Sequence, residues 1–329
     1  MGYEMVTRTN RSFWEVTSAM QNSIRKGDYD TAGYCVWELM PQYEGYMRKR
    51  FLVISAEDCF GVITKEILHL TSLPGSENVE KALAVLCKAK KNRDADYFVC
   101  NLMHGVVPET MKKEQMSAEL ISAIHNVDAE KAGLYCNALF KKNRKFLWNT
   151  LHEMVRISRP ELVDEFKALN EANEKVSKPS EETIFVAKAI VLMWTKKDTL
   201  ACREMRYDSV LDPSEVILPK PVEECPRIKG YFPDWAYNWH TYHGKYDLKR
   251  DAIHAISNDQ KLLTPLEENL FDDCTWNADI NACLRKWNPR RVPLPYDDGK
   301  RKPEEKYPGK KDEPQQRFAE AEQMDLFSF

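Results

Sequence analysis

The chain has 329 residues, 43% hydrophobic and 11% aromatic, enough apolar material for two modest domains with real cores. Charged side chains make up 30% and nearly cancel to a net −3, so no global charge argues for nucleic acid or a membrane surface as partner. No run reaches bilayer-spanning length and the first residues lack the apolar stretch of a secretion signal. The nine cysteines, an odd number scattered through helical patterns, fit a reducing compartment, and a cytoplasmic location is expected.

After an N-terminal arm, residues 1–11, the pattern predicts three short helices between Ser12 and Gly61. Ser12 is placed to cap the first, with Glu15 at its third position, an arrangement in which each side chain satisfies an orphan amide. Phe13, Val16, Met20 and Ile24 recur at helical spacing and mark a core-facing stripe, which Gly27 ends. Asp28 caps the next helix, and Asp30 adds a negative charge to its first turn, where the backbone dipole favours anions.

The stretch Asp28–Leu39, DYDTAGYCVWEL, returns as Asp128–Leu139, DAEKAGLYCNAL. A longer likeness joins the segments beginning at Lys81 and Lys188, each with a lysine pair (Lys90 and Lys91; Lys196 and Lys197) and a closing Cys-x-x-Met. Residues 12–111 therefore read as one helical unit and 112–205 as its degenerate copy, an all-α bundle of two tandem units. A glycine inside a helix costs about 1 kcal/mol relative to Ala. Gly33 and Gly133, at matching positions, predict that another helix comes close to each.

Ser18–Asp28, SAMQNSIRKGD, then Ala32-Gly33-Tyr34, then Arg50–Gly61, RFLVISAEDCFG, resemble in order the C-terminal helical region of the RarA/MgsA family of AAA+ ATPases. Those are clamp-loader relatives that act at stalled replication forks. The residues that match are Arg25, Ser55, Glu57, Asp58 and Gly61, although the family's A-S-E-D-x-G element reads S-A-E-D-C-F-G here. The likeness fades in the second copy, where Ser55 to Gly61 has no counterpart. It implies a clamp-loader-collar-like fold that docks or oligomerises, with a RarA-like ATPase among its partners. Either a pseudo-dimer within one chain or a homo-oligomer would imitate the collar.

The resemblance stops short of the ATPase. The Gly-Lys pairs at Gly244, Gly299 and Gly309 are followed by Tyr, Arg and Lys, so no G-x-x-x-x-G-K-[ST] loop can cradle phosphates. No catalysis, cofactor or metal is expected.

Residues 206–292 read as an irregular wrap with short helices, because Pro213, Pro219, Pro221, Pro226 and Pro233 with Gly230 forbid long ones. Within it, Pro233–Lys245, PDWAYNWHTYHGK, has two readings. Asp234, His240 and His243 could handle a metal or a proton, while Trp235, Tyr237, Trp239 and Lys245 could stack on and neutralise a nucleic-acid strand. Alternatively the aromatics pin an irregular segment to the core, and the histidines make local hydrogen bonds. A lone H-x-x-H lacks further ligands at the right spacing, so the structural reading ranks first and strand contact second. Helical patterns resume at 248–263 and 266–287.

The stretch 293–329 is dense in Lys, Glu, Pro, Gln and Asp and reads as a disordered tail. Near its end Gln323, Met324, Asp325, Leu326 and Phe327 closely resemble the Q-[LM]-[DS]-L-F peptide by which bacterial polymerases and repair proteins hold the sliding clamp. An extended peptide can lay Met324, Leu326 and Phe327 into an apolar pocket, while the Gln323 amide fixes register at its rim. The competing reading folds Phe318, Met324, Leu326 and Phe329 back onto the body as a short helix. Some thirty flexible residues would give the peptide an r.m.s. reach of roughly 30 Å.

Three basic clusters are candidate second contacts with the clamp, DNA or a polymerase, though for each one alone an ordinary solvated helix face is the first reading. They are Arg48-Lys49-Arg50; Lys88, Lys90, Lys91 and Arg93; and Lys141, Lys142, Arg144 and Lys145. The function expected is that of a non-catalytic accessory protein of DNA replication or repair.

Overall fold

In the computed structural model, which describes residues 5–89, 91, 93–103, 105–176, 183–195, 211–238 and 241–247, the stripe Phe13, Val16, Met20 and Ile24 is buried along α1 (Phe13–Lys26). Gly27 closes that helix at φ +72°, a conformation that costs glycine nothing, and Asp28 accepts the Thr31 amide at 3.1 Å to open α2 (Tyr29–Leu39). The expected cap at Ser12 is not formed. Residues of the arm lie along the helix start instead: Ser12 bridges Val6, the Phe13 amide donates to the Met5 carbonyl at 3.0 Å, and the Ser12 side chain makes no cap bond. The arm thus takes up the first amide of α1 while the Ser12 hydroxyl stays out of the cap.

The described residues are all-α, with no strand among them beyond isolated bridges at Val6–Ser12 and Cys59–Lys91. They divide into two compact units. The first joins α1 and α2 to α3 (Glu44–Glu57), α4 (Thr64–Ser72), α5 (Ser76–Lys88) and the segment 211–247. The proline-rich stretch of that segment forms only three-residue 3-10 turns, at Pro213–Glu215, Val222–Glu224 and Asp234–Ala236. It wraps the helices and is fixed to them at many points. The Tyr29 hydroxyl donates to the Lys220 carbonyl at 2.9 Å, Lys220 pairs with Asp30 at 2.8 Å, and the Val222 amide donates to Glu80 at 3.1 Å. Gly33 is approached by this wrap, not by a helix as its position suggested. A Cβ at Gly33 would collide with Cys225 Sγ, so the glycine opens α2 to the incoming chain.

The second unit contains α6 (Asp94–Leu102), α7 (Lys113–His125), α8 (Ala129–Lys142), α9 (Arg144–Ser158), α10 (Val163–Val176) and α11 (Ile184–Trp194). α11 carries a single charged side chain, Lys188, and all but one of its residues, Lys188 included, are buried, as a helix without a polar face must be. Arg159 donates to the Met193 and Thr195 carbonyls at 3.0 Å each, satisfying the end of α11. α6, which the repeat reading places at the end of the first copy, packs here: Phe98 lies edge-on to Trp194 at 5.7 Å, and a Cβ at Gly133 of α8 would strike the Leu102 carbonyl.

The α7–α8 corner repeats the α1–α2 corner bond for bond. Val127 takes the place of Gly27 at φ +56°, and the Asp128 amide donates to Ala123 as the Asp28 amide does to Ser23, each at 2.9 Å. Asp128 accepts the Lys131 amide at 3.1 Å. No helix among the described residues is long and apolar enough to cross a membrane. Cys35, Cys59, Cys87, Cys136 and Cys225 are free thiols in the interior, and burial raises the pKa of Cys87 to about 12 and that of Cys225 to about 11. The expected helices 248–263 and 266–287 and the tail lie outside the described residues.

Candidate functional site

The family-like residues converge where α1 ends against the end of α3. Glu57 and Asp58 sit at the C-terminus of α3, where helix carbonyls already concentrate negative potential, so two buried carboxylates there need cations. Arg25, in the last turn of α1, supplies one. Its Nε donates to Asp58 Oδ1 at 2.8 Å and another guanidinium nitrogen to Glu57 Oε1 at 3.3 Å. Arg50 supplies the second, 3.8 Å from Glu57 and donating to the Gln21 side-chain oxygen. The Gln21 amide group in turn donates to Asp58 Oδ2 at 2.8 Å.

The network continues into the wrap. Asn22 accepts from Arg25 at 3.2 Å and donates to Asn238 Oδ1 at 2.8 Å, while Ser18 donates to the Ala236 carbonyl at 2.8 Å and accepts the Asn238 amide at 2.9 Å. Ser55 donates to the Leu52 carbonyl at 2.7 Å and to Thr64 Oγ1 at 3.1 Å, joining α3 to the start of α4, and Gly61 makes the turn between them at φ +76°. The S-A-E-D-C-F-G element is thus a helix end, a charge lock and a turn. Asp58 is 0% exposed, so the lock offers solvent no reactive oxygen from that group; its chemistry is to fix α1, α3 and the wrap in register.

The Pro233–Lys245 segment is placed largely by its aromatics. Trp235 is buried with Lys26 Nζ 4.3 Å above its ring, and Tyr237 is buried with its hydroxyl accepting the Phe232 amide at 2.8 Å. Burial raises the Tyr237 phenol to about 12. His243 stacks on Tyr231 at 4.5 Å, touches Tyr237 at 4.4 Å, and shares a 2.6 Å hydrogen bond with Asp247. Asp234 is exposed, and its expected grouping with His240 and His243 is not described, because His240 lies outside the described residues. Lys245 Nζ lies 4.9 Å from the Tyr246 ring. Trp239 and His240 lie outside the described residues, and among those described no group of three His, Cys, Asp or Glu could hold a metal.

The first basic clusters are drawn into the framework. Arg48 binds Glu44 and donates to the carbonyls of Thr71, Leu73 and Gly75 at 2.8–2.9 Å, clamping α3 to the α4–α5 turn. Lys49 is exposed, and Arg50 belongs to the buried lock. Lys91 donates to the Leu86, Cys87 and Ala89 carbonyls and caps α5, while Arg93 is buried and pairs with Asp96. Lys90 lies outside the described residues, as do Gln323, Met324, Asp325, Leu326 and Phe327.

One surface feature had no clear sequence signal. The half-buried Trp37 ring lies between two guanidiniums, Arg8 at 4.4 Å and Arg227 at 3.7 Å. Close by in the chain of contacts, Arg11 donates to Tyr34 at 2.9 Å and to the Gly230 carbonyl at 2.7 Å.

Fold and site together define a protein whose described residues are all-helical and whose first unit is locked by a buried arginine–carboxylate network. Compared with protein-family models, curated proteins and solved structures, the chain gives no match.

Proposed function

We propose that this chain is a non-catalytic accessory protein of DNA replication or repair that holds a bacterial-type sliding clamp through Gln323–Phe327. The observation that carries the proposal is the sequence Q-M-D-L-F itself: an amide, two spaced apolar side chains and a terminal aromatic, the chemistry of a short peptide that seats in an apolar pocket with its register set at the rim. Two further observations support the reading of the body as a clamp-loader-collar relative. Arg25, Ser55, Glu57, Asp58 and Gly61, which carry the family resemblance, lie along one continuous joint of α1, α3 and α4. The matching corners at Gly27-Asp28 and Val127-Asp128 support a duplicated helical unit, in which the face of Gly33 is filled by the wrap and that of Gly133 by α6.

A second reading has its own support. Tyr231, Tyr242 and Tyr246 are 71%, 70% and 51% exposed; Tyr231 stacks on His243 and Tyr242 packs against Tyr246, and exposed rings grouped in this way suit stacking on a nucleic-acid strand. This moves the strand-binding reading from Trp235, which is buried, to the tyrosines around it. Two alternatives remain: an enzyme acting on nucleic acid through the Trp235 to Lys245 segment, and a collar-type subunit that joins a RarA-like ATPase.

Pull-down of a purified bacterial clamp by the full chain and by a chain lacking residues 323–329 tests the primary reading. Capture is expected only with the intact chain, with equal helical content by circular dichroism. Equal capture by both chains, or by neither, removes it.

A further inference from the structure

On most of the second unit, helical surface cations meet an acid one turn away. Lys131 pairs with Asp128 at 3.4 Å, Arg156 with Glu153 at 2.7 Å, Lys167 with Asp164 at 3.0 Å and Lys175 with Glu171 at 3.0 Å. Each such pair adds only tenths of a kcal/mol, but together they cancel the local field.

One face departs from this pattern. Where α8 gives way to α9 the chain reads Lys141-Lys142-Asn143-Arg144-Lys145, and Lys142 Nζ donates to the Met111 carbonyl at 2.9 Å. That bond brings Lys112 and Lys113, at the start of α7, to the same surface. Lys113 Nζ lies 4.8 Å above the Phe146 ring, which joins the two stretches further, and the Arg144 guanidinium lies 4.2 Å above Phe140. Lys112, Lys113 and Lys142 therefore meet at one surface, with Lys141, Arg144 and Lys145 beside them in the chain. Among the described residues no carboxylate pairs with Lys112, Lys141, Lys142, Arg144 or Lys145; Lys113 reaches Glu114 at 3.9 Å.

The placement is locally unfavourable. Lys141 and Lys142 occupy the last turn of α8, which suits cations, but Arg144 and Lys145 occupy the first turn of α9, which does not, and that turn carries no acid. In a chain of net charge −3, a concentration of unpaired like charge is a local feature, not a consequence of composition.

We propose that this face, formed by Lys112 and Lys113 with Lys141 to Lys145, docks the phosphate backbone of duplex nucleic acid. The aromatic rings beside it, Phe140 and Phe146, are covered by their own cations and are not offered to bases, which argues against a single strand held by stacking. Neither 109–114 nor 140–146 includes an exposed large apolar side chain of the kind that anchors a protein interface, so a partner held by charge alone fits. Binding by phosphate contact is independent of sequence and steeply dependent on salt. The inference does not rest on the clamp reading.

The test is fluorescence anisotropy of a labelled mixed-sequence duplex titrated with the full chain across a range of NaCl concentrations. Lys141→Glu/Lys145→Glu alters two exposed side chains with no partner among the described residues, so the fold should persist, as a circular dichroism melt would verify. The variant is expected to bind at least about tenfold more weakly, with a salt slope shallower by about 2. Lys167→Glu/Lys175→Glu on α10, an equal change in charge, should bind as the wild type does. Absence of duplex binding by the wild type at low salt, equal losses in both variants, or tighter binding of a labelled single strand or of polyglutamate would each overturn the proposal.

Discussion

Arg25 and Asp58 meet at 2.8 Å between the last turn of α1 and the end of α3, with the aspartate wholly buried. Removing either partner strands a charge out of water. Arg25→Ala or Asp58→Ala is expected to lower stability by about 3–5 kcal/mol, measured by urea unfolding. Arg25→Met/Asp58→Leu removes both charges together and is expected to lose less than either single change; a double variant weaker than both singles would contradict this view of the lock.

Two glycines give the same substitution opposite signs. At Gly133 a Cβ would run into the Leu102 backbone, so Gly133→Ala is expected to destabilise by about 1–3 kcal/mol despite the better helix propensity of alanine. Gly45 in α3 has nothing within 4 Å of its would-be Cβ, and Gly45→Ala is expected to stabilise by up to about 1 kcal/mol. Thermal melts of the two variants would separate a packing role from a general dislike of helical glycine.

The left-handed corner residues differ in chemistry. Val127 holds φ +56° with a β-branched side chain, where Gly27 does the same task freely. Val127→Gly is expected to gain about 0.5–1 kcal/mol, as relief of the left-handed strain exceeds the added chain entropy. Gly27→Ala, with the Cys87 carbonyl 3.1 Å from the new Cβ, is expected to lose at least about 1 kcal/mol, as read by the same melts.

Glu38 is a buried carboxylate whose pH response can be signed. Burial alone would raise its pKa, but hydrogen bonds from Thr9, Tyr34 and Thr7 outweigh it and hold the group below its ordinary 4.5. The hydroxyl contacts are 2.6–2.7 Å. A depressed folded pKa contributes stability that is fully present above the unfolded value and is lost as pH falls through the folded one. The stability difference between wild type and Glu38→Gln should therefore be constant above about pH 5 and shrink on further acidification. Urea unfolding at stepwise pH checks it; a difference that grows as pH falls would reverse the sign.

What could be read from the sequence was mostly local. Asp28 and Asp128 announce their helices because an N-cap contacts an amide three residues on, and the stripe from Phe13 to Ile24 needs only helical spacing. Ser12 misleads because the arm at Met5 and Val6 takes over the helix start, a contact that no local pattern encodes. Arg48 reads as part of a basic cluster until the carbonyls of Thr71, Leu73 and Gly75 are seen beneath it. Arg25 and Asp58 enter through family likeness alone, since nothing in spacing pairs a helix's last turn with a residue on a third helix. The sandwich of Trp37 by Arg8 and Arg227 joins three distant stretches and leaves no trace in any of them.

The most direct measurement is a titration of a labelled peptide of residues 315–329 with a purified bacterial sliding clamp, beside the same peptide carrying Leu326→Ala and Phe327→Ala. Saturable binding of the first peptide and none of the second is the expected result. Failure of both to bind, or equal binding by the two, would contradict the assignment of Gln323–Phe327 as the clamp-holding segment.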